Sequence, residues 1–375
     1  MIKDIILVGI TGTSGKTTTA YLTYQMLKKL GEKVAYIGTI GFYMNDFIKN
    51  LDNTTPGLYD IYNMLLTCKD NNIKYVIMEV SSHSLDLNRL NTIYFDVVAI
   101  TNISKEHLDY HKNINNYVKC KTRLFNKLRN NKIAIINKDD KYYKNFILKE
   151  NKNILISNSL INNVIINANY TKFKFNYKNN NYNININLIG YYNIYNYIIS
   201  LIIVNNLGYK IENIIKFNKE FTPPPGRMEL IKYKNNSIYI DYAHKPDAVL
   251  KVLTSVKKFK KGKVITIIGC GGNRDKSKRP VMANISCKYS DYVIFTNDNP
   301  RNENKENIIK DMINNLKYLN YEVIYNRKKA IQKAIKLLNN KDILLILGKG
   351  HEDYQIIKNK KIHLSDKEEV LKIVK

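Results

Sequence analysis

The residues best equipped for chemistry stand near the start of the chain. Gly12-Thr13-Ser14-Gly15-Lys16-Thr17-Thr18 sets two glycines, a lysine and adjacent hydroxyls directly after the apolar run Ile5-Ile6-Leu7-Val8 and ahead of helix-forming residues. Glycines let backbone N–H groups close round a phosphate, and the helix start adds partial positive charge. Lys16 reaches the β/γ oxygens, and Thr17 offers an oxygen to Mg2+. The common spacing G-x-x-x-x-G-K-[ST] would want a glycine at position 10, where Ile10 stands, so this is a compact G-x-x-G-K-T variant. In a solvated turn the same residues would mean nothing; between a strand and a helix they point to an ATP-using enzyme.

Two further side chains fall where such a loop needs them. Tyr75-Val76-Ile77-Met78 reads as a buried strand delivering Glu79, and Phe95 to Ile100 as a strand delivering His107. A carboxylate and an imidazole beside Thr17 would complete Mg2+ sites. Taken singly, Glu79 also suits a helix cap and His107 a packed histidine. On spacing alone Lys121 reads as a solvated helix lysine.

The elements that must hold these residues alternate. Lys16 to Leu30 has helical apolar spacing and ends at Gly31, Val34 to Ile37 is a strand, and residues 38–56 are polar and turn-rich. A helix from about Gly57 to Cys68, a helix from Asn115 to Leu128 and a strand from Ile133 to Ile136 follow, which predicts a mostly parallel sheet with ligands at its carboxyl ends. Val164 to Leu188 alternates Asn and Lys with β-branched or aromatic residues, predicting an appended antiparallel hairpin or meander with a turn at Lys178-Asn179-Asn180. Helix Tyr191 to Leu207 then closes the domain. Successive prolines in Thr222-Pro223-Pro224-Pro225-Gly226 exclude helix and sheet interior, so domains are placed at 1–221 and 222–375.

The second domain opens with a hairpin, Leu230 to Tyr233 and Ser237 to Tyr242. It then alternates strands at 264–268, 292–295, 322–325 and 343–347 with helices at 280–289, 305–316 and 327–338. The fold class is α/β, a P-loop central ATPase domain with a mostly parallel sheet plus a C-terminal Rossmann-like α/β domain. The G-x-G-x-x-G fingerprint is missing, which disfavours a nicotinamide enzyme.

At 375 residues the chain is long enough for two or three cored domains. Sixty Lys and Arg against 32 Asp and Glu give a formal charge of +28. The lysines are scattered beside Asn, Ile and Tyr with no arginine-rich block, so a uniform drift in composition is expected and no specific nucleic-acid partner. Cys68, Cys120, Cys270 and Cys287 form no C-x-x-C pair, as suits a reducing cytosol. No apolar run approaches the roughly 18 residues of a membrane span. A cytoplasmic, monomeric protein is expected.

Six stretches in order resemble the successive signatures of the Mur ligases, ATP-dependent amide-bond-forming enzymes of peptidoglycan synthesis. They are Thr11-Gly12-Thr13-Ser14-Gly15-Lys16-Thr17, Glu79-Val80-Ser81-Ser82-His83, His107-Leu108-Asp109-Tyr110-His111, Gly190-Tyr191-Tyr192-Asn193-Ile194-Tyr195-Asn196, Gly226-Arg227-Met228-Glu229 and Asp241-Tyr242-Ala243-His244. Three more, Gly269-Cys270-Gly271-Gly272-Asn273-Arg274-Asp275-Lys276, Asp298-Asn299-Pro300-Arg301 and Gly348-Lys349-Gly350-His351-Glu352-Asp353-Tyr354-Gln355, look like the branch that adds meso-diaminopimelate to UDP-MurNAc-L-Ala-D-Glu.

The resemblance implies ATP and two Mg2+ sites, with Thr17, Glu79 and His107 as ligands and an N-carboxylated Lys121 holding the second cation. It implies nucleotide contacts by Asn193, Arg227 and Asp241, and muramoyl-peptide contacts by Thr54, Thr55, Ser82 and Arg89. Arg274, Asp298, Asn299, Pro300, Arg301, Gly348 and Glu352 would line the amino-acid pocket. There a planar guanidinium suits the extra carboxylate that diaminopimelate has and lysine lacks, and Glu352 would meet the ammonium group. The implied reaction runs through an acyl phosphate, with domain closure before chemistry.

Three departures stand out. Family members normally begin with a further domain for the uridine diphosphate, whereas Met1 lies eight residues before Gly9; Ser14 replaces the common Asn, and Lys245 the common Thr. Other ligases on this scaffold, of folylpolyglutamate or cyanophycin type, are the first alternative, against which Arg301 and Glu352 argue. A non-catalytic nucleotide-binding remnant is the second, against which Lys16, Glu79, His107 and Lys121 argue.

Overall fold

The structure, a computed structural model, describes residues 4–374. Residues up to Ile165 together with Thr171–Pro224 form one compact unit; Ile166–Tyr170 together with the residues from Pro225 onward form a second.

In the first unit β1 (Ile6–Thr11) runs into α1 (Lys16–Lys29), then β2 (Val34–Gly38), β3 (Gly41–Met44), β4 (Asp46–Lys49), α2 (Leu58–Asp70), β5 (Tyr75–Glu79) and α3 (Ser82–Asp86). There follow β6 (Phe95–Ile100), α4 (Leu108–His111), α5 (Ile114–Phe125), β7 (Leu128–Asn137), β8 (Lys152–Ile156), β9 (Ile161–Ile166), β10 (Thr171–Tyr177), β11 (Asn180–Ile186), α6 (Tyr191–Asn206) and α7 (Ile211–Ile215). The main sheet has the order β4-β3-β2-β5-β1-β6-β7-β8 and is parallel except where β3 and β4 join.

Strands β1, β2, β5 and β6 are almost wholly buried, as continuous apolar runs must be when both faces of a sheet are covered. One face packs on Ala20, Leu22 and Leu27 of α1 and Ile198 and Ile202 of α6. The other packs on Ile61 and Leu65 of α2 and Leu124 and Phe125 of α5. Strands β2 and β5 lie on one side of β1 and β6 on the other, so the strand order reverses at β1. That places a crevice at the carboxyl ends of β1 and its neighbours.

The second unit comprises β12 (Glu229–Tyr233), β13 (Asn236–Asp241), α8 (Pro246–Lys257), β14 (Val264–Ile268), α9 (Lys278–Tyr289), β15 (Tyr292–Phe295), α10 (Lys305–Ile313) and β16 (Tyr321–Val323). It continues through α11 (Arg327–Lys336), β17 (Ile343–Leu347), β18 (Tyr354–Ile357), β19 (Lys360–His363) and α12 (Asp366–Val374). Its six-stranded sheet, β12-β13-β17-β14-β15-β16, is parallel apart from β12.

The α/β class and mostly parallel sheets match the sequence expectation, with local corrections. Residues 38–56 hold the hairpin β3–β4, turned by Asn45 in the left-handed region (φ 65°). Leu128 opens β7 instead of ending a helix, because the Lys127 carbonyl accepts from Phe95 N at 2.9 Å and Arg129 pairs with Asp96 at 2.9 Å. The Asn-rich strands turn at Lys178-Asn179 as expected (φ 49° and 62°), but form their own sheet, β11-β10-β9, instead of extending the main one. Strand β8 and helices α8 and α12 carry no expectation from the sequence, although Pro246 at the first turn of α8, with Asp247 behind it, is a helix-start signal.

Candidate active site

In the first unit the loop leaves β1 at Thr11 and enters α1 at Lys16. Gly15 adopts φ 87°, and a β-carbon there would collide with the Asn196 side chain, so both conformation and space require glycine. Asn102 Oδ1 accepts from Ser14 N at 3.1 Å, Thr101 Oγ1 donates to Ser14 O at 2.7 Å, and Thr13 Oγ1 lies 3.1 Å from the Tyr117 hydroxyl. Lys16 Nζ donates to Gly12 O at 2.8 Å and Thr13 O at 3.1 Å. Behind the loop, Asn193 Oδ1 accepts from Asn196 Nδ2 at 2.9 Å.

Strand β5 carries Glu79 to the loop. Its carboxylate is fully buried, and Oε2 accepts from Thr17 Oγ1 at 2.9 Å. A threonine hydroxyl and a carboxylate side by side at a phosphate loop are the hard oxygen donors that suit Mg2+, which completes its shell with phosphate oxygens and water. Among the described residues no three His, Cys, Asp or Glu side chains converge as a ready-made cation cage.

Lys121 is not a solvated lysine. It is 1% exposed, and its Nζ donates to Gly12 O at 3.0 Å and to Thr11 Oγ1 at 3.3 Å. Burial, then the neighbouring charge of Lys16, pushes its pKa well below the usual lysine range. His107 caps α4 in the left-handed region (φ 53°), pairs with Glu106 at 2.9 Å, and sets its ring edge-on to His83 at 4.7 Å. Burial, with His107 and His111 nearby, pushes His83 down to about 4. Of the other first-unit candidates, Thr54 and Thr55 lie beside Glu79, Arg89 beside Thr55, and Ser82 beside His111. Thr54 and Thr39 hydroxyls are 3.1 Å apart, Thr55 Oγ1 donates to Glu79 O at 2.9 Å, Arg89 donates to Thr55 O at 3.0 Å, and Ser82 Oγ lies 3.1 Å from His111 Nε2.

The second unit assembles its own constellation at the carboxyl ends of β13, β14, β15 and β17. Asn299 Nδ2 donates to Glu352 Oε2 at 2.9 Å, while its Oδ1 accepts from Ile356 N at 2.9 Å. Asp298, Asn299 and Pro300 are buried, and Arg301 Nη1 donates to Gly272 O at 2.9 Å. Gly348 approaches Asp298 closely enough that a β-carbon would lie 2.6 Å from its carboxylate. Lys349 Nζ, fully buried, reaches Glu352 Oε2 at 3.3 Å. Arg274 is exposed on the loop that carries Gly271 and Gly272.

Beside it, Asp241 accepts from Met228 N at 2.7 Å and Ala243 N at 2.8 Å, and burial raises its pKa against the pull of Arg227. Arg227 stacks over the Tyr242 ring at 4.3 Å. The sequence motifs missed three partners: Tyr36 and Thr39, which bond Glu79, and Lys349, whose only signal was its place inside the Gly348–Gln355 stretch.

The family model described as Mur ligase middle domain matches residues 10–204, and that of the Mur ligase glutamate ligase domain matches residues 226–350. A Clostridium acetobutylicum protein named UDP-N-acetylmuramoyl-L-alanyl-D-glutamate–2,6-diaminopimelate ligase 1 is 40% identical over 98% of this chain and 78% of its own length. A Buchnera aphidicola relative named as the same ligase is 38% identical over 99% of this chain and 78% of its own. A solved structure with that ligase name has a TM-score of 0.71 at 29% identity, covering 99% of this chain and 78% of its own. A Mycobacterium tuberculosis folylpolyglutamate synthase, solved with ADP and AMPPCP, reaches TM-score 0.78 at 16% identity, covering 92% of this chain and 89% of its own, a likeness of fold alone.

Proposed function

The chain belongs to the Mur ligase family, and from that premise we propose that it adds meso-diaminopimelate to the D-glutamyl carboxylate of UDP-MurNAc-L-Ala-D-Glu, splitting ATP to ADP and phosphate. The observation that carries the choice of amino acid is the grouping of Arg301, Asn299 and Glu352 in the second unit. A guanidinium and a carboxylate held together match a ligand end that bears both a carboxylate and an ammonium group. Residues 1–221 are assigned to ATP and residues 222–375 to the amino acid, in the cytoplasm.

In the first unit Gly12 to Thr18 would hold the phosphates, with Lys16 against the γ-phosphoryl oxygens. Thr17 and Glu79 would hold one Mg2+, and His107 with Lys121 a second; these cations would neutralise charge on the transferring phosphoryl group. Lys121, buried and weakly basic, is suited to add CO2 at its neutral amine, forming an N–C bond with loss of one proton and turning a cation into a carboxylate-like ligand. Thr54, Thr55, Ser82 and Arg89 would orient the muramoyl peptide so that its carboxylate attacks the γ-phosphorus and ADP leaves. Arg227, Asp241 and Asn193 would contact the nucleotide. The acyl phosphate is needed because a carboxylate and an ammonium ion do not condense at neutral pH. Attack on the acyl carbon by the deprotonated amine of diaminopimelate then forms the amide and expels phosphate. Asp298, Asn299, Pro300, Gly348, Arg274 and Glu352 would hold that amine's owner, Arg301 its distant carboxylate.

The test is phosphate release with ATP, Mg2+ and UDP-MurNAc-dipeptide, comparing diaminopimelate, lysine and folate-type substrates. Release that depends on diaminopimelate and vanishes in Lys16→Ala is expected. No release at millimolar substrate, or equal release with lysine, would overturn the reading.

A further inference from the structure

Glu79 is more heavily bonded than a cation ligand needs to be. Its Oε2 accepts from Thr17 Oγ1 at 2.9 Å and Thr39 Oγ1 at 3.2 Å; its Oε1 accepts from Thr39 N at 2.8 Å and from the Tyr36 hydroxyl. The two oxygens differ in what their partners can do. Hydroxyls on Oε2 rotate and have lone pairs to turn toward a cation, whereas on Oε1 the backbone N–H only donates and the one hydroxyl sits on the buried ring of Tyr36.

Tyr36 cannot easily turn away. It is fully buried on β2, and its ring is walled by Tyr43 at 5.7 Å, Tyr21 at 6.0 Å and Tyr24 at 6.4 Å. The parallel register of β2 with β5 sets Tyr36 opposite Ile77 and Ile37 opposite Met78, so the phenol reaches forward along the strand to Glu79. Gly38 supplies the space: a β-carbon at that position would overlap both Glu79 Oε1 and the Tyr36 oxygen.

We propose that Tyr36, with Gly38 keeping its path open, is a positioning residue that locks Glu79 Oε1 and so presents Oε2, beside Thr17, as the oxygen that meets the cation. The proposal rests on the reading of Glu79 as a cation ligand. Partners that orient a metal ligand typically change metal affinity by about 10- to 100-fold when removed.

The experiment is calorimetric binding of a non-hydrolysable ATP analogue at a series of Mg2+ concentrations, read as the Mg2+ midpoint. Tyr36→Phe keeps the ring and removes only the hydroxyl, and should raise the midpoint by about 10-fold; Gly38→Ala, which displaces the same bond by overlap, should do likewise. Tyr24→Phe, in the same aromatic cluster but bonded to Asn45 O at 2.6 Å, should leave it unchanged. A Tyr36→Phe midpoint within about threefold of wild type, below the expected range, overturns the proposal. So does an equal rise in Tyr24→Phe, which would mark a packing effect. If Tyr36→Phe does not fold, Gly38→Ala is judged by the same threshold. Glu79→Gln separates the two levels: if it abolishes Mg2+ dependence while Tyr36→Phe does nothing, only the positioning role fails, and if it leaves the midpoint at the wild-type value, both fall.

Discussion

Replacing Arg301 by alanine tests the amino-acid pocket with little collateral damage, because the backbone around it is held independently of the side chain. Arg301 N donates to Ile356 O at 2.9 Å and Arg301 O accepts from Lys358 N at 2.7 Å, and neither bond involves the guanidinium. The residue sits in the left-handed region at φ 53°, a cost that arginine and alanine bear alike, so it cancels in the comparison. What the substitution removes are the Nη1 bonds to Gly272 O at 2.9 Å and to Asn299 O at 3.4 Å and the charge offered to a substrate carboxylate. A hydrogen bond to a charged group contributes about 1.5–3 kcal/mol. Arg301 is only half-buried, so about 2 kcal/mol is expected, roughly 30-fold in kcat/KM for diaminopimelate. The assay is steady-state phosphate release with diaminopimelate, lysine and ATP varied in turn. The preference for diaminopimelate over lysine should shrink by nearly the same factor, since lysine has no carboxylate to lose contact with. A change confined to the KM for ATP, or an unchanged preference, would refute the assignment of Arg301 to the distal carboxylate.

Two further outcomes are expected. Arg327 and Asp366 form an ion pair with both side chains fully buried, at 2.7 Å; Asp366→Asn leaves the guanidinium uncompensated and should cost about 3–5 kcal/mol, lowering the first melting transition by roughly 10 °C in scanning calorimetry, and a fall of only a degree or two would show the pair to be dispensable. His244, whose Nδ1 donates to Tyr242 O at 2.7 Å, is pushed down to about 4 by burial and by the charges of Lys278 and Arg227. Its folded pKa lies below the unfolded value of 6.5, so the unfolded chain takes up the proton first; stability is whole above pH 6.5 and declines as pH falls toward 4, by about 2–3 kcal/mol. Denaturant midpoints in His244→Asn should fall less steeply over that window than in wild type, and parallel slopes would reject His244 as their source.

The parts of the site legible in the sequence were those whose residues are contiguous. Gly12 to Gly15 lead from β1 into the first turn of α1, which carries Lys16 to Thr18, and Asp298 to Arg301 follow shortly after β15, so a strand end sets where each stretch begins. Glu79 was readable for the same reason. Spacing alone makes Lys121 look solvated, yet its period carries the opposite signal: on α5 it follows Tyr117 by four residues and precedes Leu124 by three, which sets it on the buried stripe with Tyr117, Val118, Cys120, Leu124 and Phe125. Tyr36 left no comparable trace. It meets Glu79 across 43 positions, and nothing in a single sequence says that β2 lies next to β5 in parallel register. Helix α8 was hidden differently, because Ala243-His244-Lys245-Pro246 reads as part of a signature before it reads as a helix start.

The formal charge of +28 and the pocket chemistry act on different length scales. Scattered surface lysines raise the local concentration of any anion, but their field decays over about 8 Å at physiological salt, and diaminopimelate and lysine differ by one carboxylate at one end. A diffuse field cannot tell which end of a ligand carries that group. Discrimination needs opposite charges fixed at short range, and on the proposed reading these are Glu352, tied to Asn299 at 2.9 Å and Lys349 at 3.3 Å, and Arg301, whose backbone is fixed on both sides. Rigidity matters here as much as sign. An arginine free to swing would meet the carboxylate of either end of either amino acid, and the preference would fade even with the charge intact. On the proposed reading the two backbone bonds to the Ile356–Lys358 segment belong to the selectivity, since they decide where the guanidinium begins.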